Sequence, residues 1–368
     1  MCADQQQDGE SGRGGDRRSL GGGLIARRHP IAARILRRWR ELTGGRGVRD
    51  GERRAVVGCS GGVDSVALAA VLALVEPRPV IVHVEHDVRE DGSAQMDRDL
   101  VEGLAKRLGC GFVCERVAVR GLGGNLEHHA REARYRVLSR VARAHGIRYV
   151  VTGHHGDDQL ETVLMHLLRG SGVRGMGGMA EKRSLGEGLE LVRPMQGVSR
   201  EEIEGLCAEH GLVWREDPTN ADEGYLRNRL RAKVLPMLKE IEPAVVERAA
   251  GSARSCRRAG ELIEAVVRDG AVSAASKKDG VWSWGRDALR GEPEAVLGEL
   301  MFVFVRDVLG GVGADSMTRR AVEDVVGAIK SDGTDPRVHR VGPMVVEVRA
   351  GEVKFLSAGP GEAGGRRG

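Results

Sequence analysis

Aromatic residues are scarce in this 368-residue chain, where Phe, Trp and Tyr together make up 3%. Hydrophobic residues still reach 41%, so a core is available and must be built mainly of Val, Leu, Ala and Met. Long apolar runs are missing too. The best candidate, Met301–Val305, stops at Arg306 and falls far short of the ~20 residues a membrane-spanning helix needs. The polar, Gly-rich start is unlike a secretory leader, and acidic residues ahead of the Arg-rich stretch Arg27–Arg40 are unlike a transit peptide. A cytoplasmic location and no membrane partner are therefore expected. The six cysteines include no C-x-x-C pair, which removes the usual zinc and iron–sulfur frameworks and fits reduced thiols. A strong charge of one sign is also absent. With 57 basic and 53 acidic residues the formal net charge is +4, which permits a nucleic-acid partner without requiring one.

What is present is a phosphate-gripping turn. The apolar run Ala55–Cys59 reads as a short buried strand, and Val66–Leu72 as the helix that follows. Between them stands Ser60-Gly61-Gly62-Val63-Asp64-Ser65. Two glycines let the backbone turn sharply and bring its N–H groups onto an anion, and the helix N-terminus adds unpaired donors and its positive dipole end. No Gly-Lys-Ser/Thr closes the turn, nor does the turn itself follow Gly-x-Gly-x-x-Gly, so neither of the commoner nucleotide loops applies to it. The hydroxyls of Ser60 and Ser65 can donate to phosphate oxygens, and Asp64 suits Mg²⁺ or its water shell.

Around the turn the chain alternates strand and helix. Strands are expected at Ala55–Cys59, Val80–Val84, Phe112–Val117 and Tyr149–Thr152, and helices at Val63–Leu74, Ala94–Leu108, Leu126–His145 and Asp157–Leu168. Ile31, Ile35 and Trp39 recur at helical spacing ahead of the first strand. This is the pattern of an α/β fold with a doubly wound parallel sheet, whose ligands sit beyond the strand C-termini. The hexapeptide, His83–Arg89 and Gly153–Asp158 all fall at such ends and are expected to share one crevice. Gly170–Gly178 reads as a mobile loop, and helix Glu223–Leu238 closes the unit. The expected organisation is an unstructured segment 1–24, a nucleotide-binding domain 25–238, a smaller, mostly helical C-terminal domain 239–357 with a terminal hairpin, and a tail 358–368.

A second constellation is His154-His155-Gly156-Asp157-Asp158-Gln159-Leu160-Glu161-Thr162. On a helix starting near Asp157, His154, Asp158 and Glu161 can face one way. Two carboxylates there can chelate Mg²⁺ or bind an ammonium group; alone, the same residues read equally well as a helix cap. The helix Leu126–Arg136 carries i,i+4 charge pairs that by themselves mark only a solvated face. Arg227, Arg229, Arg231 and Lys233 form a basic run whose members cannot all meet one backbone, since i and i+2 lie on different helix sides.

Taken together, these segments resemble the tRNA(Ile)-lysidine synthetase family of PP-loop ATP pyrophosphatases. The resemblance rests on the hexapeptide, His83–Arg89, Ala130–Tyr135, Thr152–Met179, Asp217-Pro218-Thr219-Asn220 and Leu226–Arg231, in that order, and covers Ala55 to Leu238. One departure is the pair Glu85 and Asp87 flanking the second histidine of His83–Arg89. The resemblance implies an ATP-dependent ligase, with Mg²⁺, that joins free lysine to C2 of the wobble cytidine in the CAU anticodon of tRNA(Ile) through an adenylated intermediate. It implies that Ser60, Gly61, Gly62, Val63, Asp64 and Ser65 hold the nucleotide. Asp64, Asp158 and Glu161 then take Mg²⁺ or the lysine ammonium, and Arg134 and His154 complete the catalytic set. Arg227, Arg229, Arg231 and Lys233 are expected to meet tRNA, and a homodimer is one assembly compatible with it. Two other readings stand beside it: a PP-loop enzyme that thiolates tRNA, opposed by the missing C-x-x-C, and an inactive RNA-binding relative, opposed by intact Ser60, Asp64, Asp158 and Glu161.

Overall fold

The computed structural model describes residues 24–87, 93–118, 126–216 and 225–358. The turn Asp217–Asn220, Val88 and Arg89, and most of segments 1–24 and 358–368 lie outside the described residues. In chain order the elements begin with α1 (Pro30–Leu42), β1 (Ala55–Gly58), α2 (Val63–Leu72), β2 (Val80–His86) and α3 (Ser93–Leu108). Next come β3 (Gly111–Val117), α4 (Leu126–Ala144), β4 (Tyr149–Val151), α5 (Gly156–Leu168), α6 (Val173–Met176), β5 (Lys182–Gly186) and β6 (Leu189–Val192). Four helices follow: α7 (Arg200–Glu209), α8 (Leu226–Arg229), α9 (Leu235–Ile241) and α10 (Val245–Val267). The last stretch holds β7 (Ser276–Lys278), β8 (Val281–Gly285), α11 (Arg286–Gly291), α12 (Glu294–Val308), α13 (Arg319–Lys330), β9 (Arg337–Val341), β10 (Met344–Val348) and β11 (Glu352–Ser357).

These elements form two compact units that are discontinuous in sequence. One comprises Met1–Gly153, Lys182–Pro194 and Glu201–Glu216; the other comprises His154–Glu181, Met195–Arg200 and Asp217–Gly368. The first unit breaks off after Gly153, and residue 238, where the sequence reading places a boundary, lies within the second unit.

The first unit is built on a sheet of order β3-β2-β1-β4-β6-β5, parallel except for the β5–β6 pair. Its central strands are runs of Val and Ile because helices cover both faces, leaving no polar side to alternate with. From β1 the chain steps outward through α2, β2, α3 and β3, and α4 then returns it to β4 on the other flank of β1. That reversal makes the β1/β4 boundary the switch point, where a crevice opens beyond the strand ends. Helix α2 is apolar all round, and Asp64 alone among its residues is not buried. In α1, with Pro30 at its first position, the buried stripe is Ala32, Ile35, Leu36 and Trp39. Ile31, read as part of that stripe, is half-buried. Trp39 meets Tyr149 edge to face with centroids 5.4 Å apart, and the Tyr149 hydroxyl donates to the Thr43 carbonyl at 3.3 Å.

In the second unit, Leu160 of α5, Leu230, Leu235 and Val246 form a small core that fixes α5 against the α8–α10 stretch. The expected terminal hairpin is present as part of a five-stranded antiparallel sheet, β7-β8-β11-β10-β9. Much of the chain's aromatic content gathers under this sheet. Trp282, Trp284, Phe304 and Phe355 pack edge to face with centroids between 4.9 and 6.2 Å. The buried Arg286 caps the C-terminus of α13, its guanidinium donating to the carbonyls of Ala328 (2.8 Å), Ile329 (3.3 Å) and Ser331 (2.6 Å). Arg286→Ala is expected to cost about 2–3 kcal/mol, because those carbonyls lose charge-assisted partners inside the fold. Urea denaturation of the full chain measures this. Arg286→Lys should recover less than half, since an ammonium cannot fork to several acceptors.

Candidate active site

The turn after β1 has the conformation its glycines allow. Gly61 has φ +94°, a value side-chain-bearing residues rarely adopt, and Gly62 caps α2 in extended form. Ser65 faces into the turn. It is buried, accepts from the Ser60 backbone N–H (3.1 Å) and donates to the Gly62 carbonyl (2.8 Å). Ser65 is thus a staple that shapes the turn, whereas Ser60 is exposed. From outside, the Arg215 N–H donates to the Gly61 carbonyl at 3.0 Å, and the Arg215 guanidinium pairs with Asp97 of α3 at 2.8 Å. Across the switch point, a Cβ on Gly153 would lie 3.0 Å from the Asp64 carbonyl group, so only glycine lets β4 exit beside the turn.

The histidines of β2 divide by role. The His83 ring donates through Nδ1 to the Cys59 carbonyl at 2.9 Å, which supports the turn from below. His86, at the strand end, has both ring nitrogens buried without a hydrogen-bond partner among the described residues. Burial, then the charge of Arg134, pushes its pKa down from 6.5 to about 4. Arg134 itself, on α4, is exposed at the same end of the sheet. The neighbouring Tyr135 phenol is also pulled down. Burial opposes the shift, and the positive charges of Arg193, Arg131 and Arg183 overcome it.

In the second unit, the acidic residues form a closed charge cluster. His155, not His154, precedes α5, and its backbone N–H donates to Asp158 at 3.0 Å in a reciprocal cap. Because α5 begins at Gly156, His154 lies before the first turn and does not share the helical face assumed for it. Asp157 accepts from the Arg200 N–H at 2.7 Å and pairs with Lys239. Asp158 receives Arg227 at 2.8 Å and Arg231 at 3.2 Å. Glu161, 0% exposed, receives Arg227 at 2.7 Å and Arg231 at 2.6 Å. Burial alone would raise the Asp158 carboxyl, but His155 and Arg227 hold it well below the usual carboxylate range. As a metal site, this donor set does not fit Mg²⁺, because the oxygens already accept from guanidinium groups. Asp64, a half-buried carboxylate beside the Ser60–Ser65 turn, does fit the way Mg²⁺ is usually held by a protein.

The pairing also redistributes the basic run. Arg227 and Arg231 are four apart and turn inward, while Arg229 and Lys233 occupy the opposite, exposed side. Of the four expected tRNA contacts, two are therefore engaged with Asp158 and Glu161. A π-type turn at Leu230–Val234 joins α8 to α9 through this region. The Gly170–Gly178 stretch, read as a mobile loop, contains the helical turn α6 and is tied at its end. Arg257 donates to the carbonyls of Gly177 and Gly178, and the Gln159 side chain accepts from the Met179 N–H at 2.8 Å. The roles of His155, Asp157 and Lys239 escaped the sequence reading. Only the offset of the helix start by one residue could have signalled the first two.

Two predictions follow from these charges. His86 should titrate near 4 in the folded protein, read from its imidazole NMR shifts, and a value near 6.5 would refute its burial. Since the folded value is the lower one, neutral His86 contributes stability that is complete above about pH 6.5 and is lost as pH falls towards 4. His86→Gln should flatten that part of the stability–pH curve. Removing both cations in Arg227→Ala/Arg231→Ala leaves the Glu161 carboxylate buried and unpaired. It should cost about 3–5 kcal/mol in urea unfolding, and a loss under about 1 kcal/mol would contradict the pairing.

Residues 31–238 match the family described as a PP-loop domain. A tRNA(Ile)-lysidine synthase from Salinispora tropica is 38% identical over 317 residues, covering 83% of this chain and 91% of that one. One from Bacillus thuringiensis is 44% identical over 205 residues, covering 52% of this chain and 42% of that one. One from Deinococcus deserti is 41% identical over 226 residues, covering 60% and 37%. The chain thus spans less than half the length of the Bacillus and Deinococcus relatives and nearly all of the Salinispora one. With its phosphate turn at the switch point of a parallel sheet and this similarity over most of its length, the chain belongs to the tRNA(Ile)-lysidine synthase family of PP-loop proteins.

Proposed function

We propose that this chain uses ATP to join free lysine to C2 of the wobble cytidine in tRNA(Ile) with a CAU anticodon. The observation that carries the reading is the stapled turn Ser60–Ser65 beside Gly153, in a chain whose Salinispora relative bears that name. The cytosine C2 oxygen attacks the α-phosphorus of ATP, the bond to the β-phosphate oxygen breaks, and pyrophosphate leaves. The lysine ε-amine, having lost a proton, then attacks C2, and AMP departs with the former carbonyl oxygen. This makes a poor leaving group into a good one.

The turn's backbone N–H groups and the exposed Ser60 hydroxyl bind the β- and γ-phosphates, while Ser65 preserves the shape that aims them. Asp64 would hold Mg²⁺, which when bound offsets phosphate charge. Arg134, exposed and cationic, suits the negative charge that builds on the α-phosphate. Asp158 and Glu161 can take the lysine ammonium only as a guanidinium lets go, one cation replacing another so that the buried charge stays balanced. His154 orients the base, and Arg229 and Lys233 meet tRNA phosphates.

Sulfur transfer is the less supported reading. It needs a reactive thiolate, and burial pushes the thiols of both Cys110 and Cys114 up to about 11. Incubation with ATP, labelled lysine and a CAU-anticodon tRNA(Ile) should place label in the RNA. Asp64→Asn should lower that rate by roughly a hundredfold or more with tRNA affinity nearly unchanged. Wild-type turnover in this variant, or no labelling by the native chain, would refute the assignment.

A further inference from the structure

Apart from the phosphate turn, three metal-capable side chains meet in the first unit. His29 immediately precedes α1, Glu209 ends α7 and His210 follows it. His29 Nε2 lies 3.2 Å from Glu209 Oε2. The two imidazoles stand edge to face, centroids 5.2 Å apart and planes at 86°. One donor atom from each residue falls within 4.8 Å of the other two.

Two details favour a ligand over a simple ion pair. His210 Nδ1 faces the Leu206 carbonyl at 3.0 Å. A carbonyl only accepts, so Nδ1 carries the proton and the Nε2 lone pair remains for another partner. That is the orienting bond which metal-bound imidazoles make through their second nitrogen. His29 buries Nδ1, so its ring meets Glu209 and the site through Nε2. A His29–Glu209 pair alone accounts for neither the third group nor its fixed tautomer.

We infer that His29, Glu209 and His210 bind a divalent d-block cation of the zinc type, with water completing the coordination. Two imidazoles and one carboxylate select zinc, cobalt or nickel over magnesium or calcium. Bonds of about 2.0–2.1 Å give a tetrahedral edge of roughly 3.3 Å, close to the His29–Glu209 separation. The wider separations close by movement of Glu209, whose side chain is 63% exposed. The cation fastens the start of α1 to the end of α7, two helices already joined by the Arg34–Glu202 ion pair. This site does not depend on lysine ligation.

The test uses the full chain after chelator treatment. Calorimetry should show one equivalent of Zn²⁺ bound, and Zn²⁺ should raise Tm. Co²⁺ should give the visible absorption of a four-coordinate nitrogen–oxygen site without a thiolate charge-transfer band. His29→Ala and His210→Gln should each weaken Zn²⁺ binding by about a hundredfold or more and abolish the Tm response. Their metal-free Tm values, close to that of the metal-free native protein, show that they fold. Glu209→Gln, an exposed change that leaves the fold intact, should weaken binding as well. Absence of stoichiometric binding by the native chain, a thiolate band, or native affinity in these variants would overturn the site.

Discussion

Close backbone approach is the constraint on which the first unit depends. The turn Ser60–Gly62 holds its shape because Gly61 takes φ +94° and because no side chain crowds Asp64 from Gly153, just past the end of β4. The sheet order brings these two strand ends together, and α2, buried except at Asp64, anchors the turn in the core. Ser65 then holds the turn from inside, accepting from the Ser60 N–H and donating to the Gly62 carbonyl.

In the second unit the governing interaction is electrostatic. Two carboxylates with little or no exposure would be costly alone, and two guanidinium groups spaced one helical turn apart offset them. The same spacing sorts the basic run into an inward pair and an outward pair. A segment that looks like an RNA-binding stripe is therefore half structural, its inward half paired with Asp158 and Glu161.

Much of the fold was legible beforehand. The Val-rich strands and intervening helices pointed to the doubly wound sheet, and Ser-Gly-Gly-x-Asp-Ser pointed to the tight turn between β1 and α2, because backbone geometry and apolar period are local properties. The five-stranded sheet was less legible: β7 is three exposed polar residues, and its pairing comes from β8 rather than from its own pattern. His155 was missed for a different reason. A helix start displaced by one residue exchanges which of two adjacent histidines caps it.

The class of fold and the family could be read from the chain alone, since each follows from short-range pattern. Only the tertiary structure decided that Asp158 and Glu161 are held by Arg227 and Arg231, that Ser65 points inward, and that His29 meets Glu209 and His210. Those contacts join residues tens to more than a hundred positions apart, or turn on one rotamer. Charge partners at such range are chosen by how helices pack, which no local spacing records.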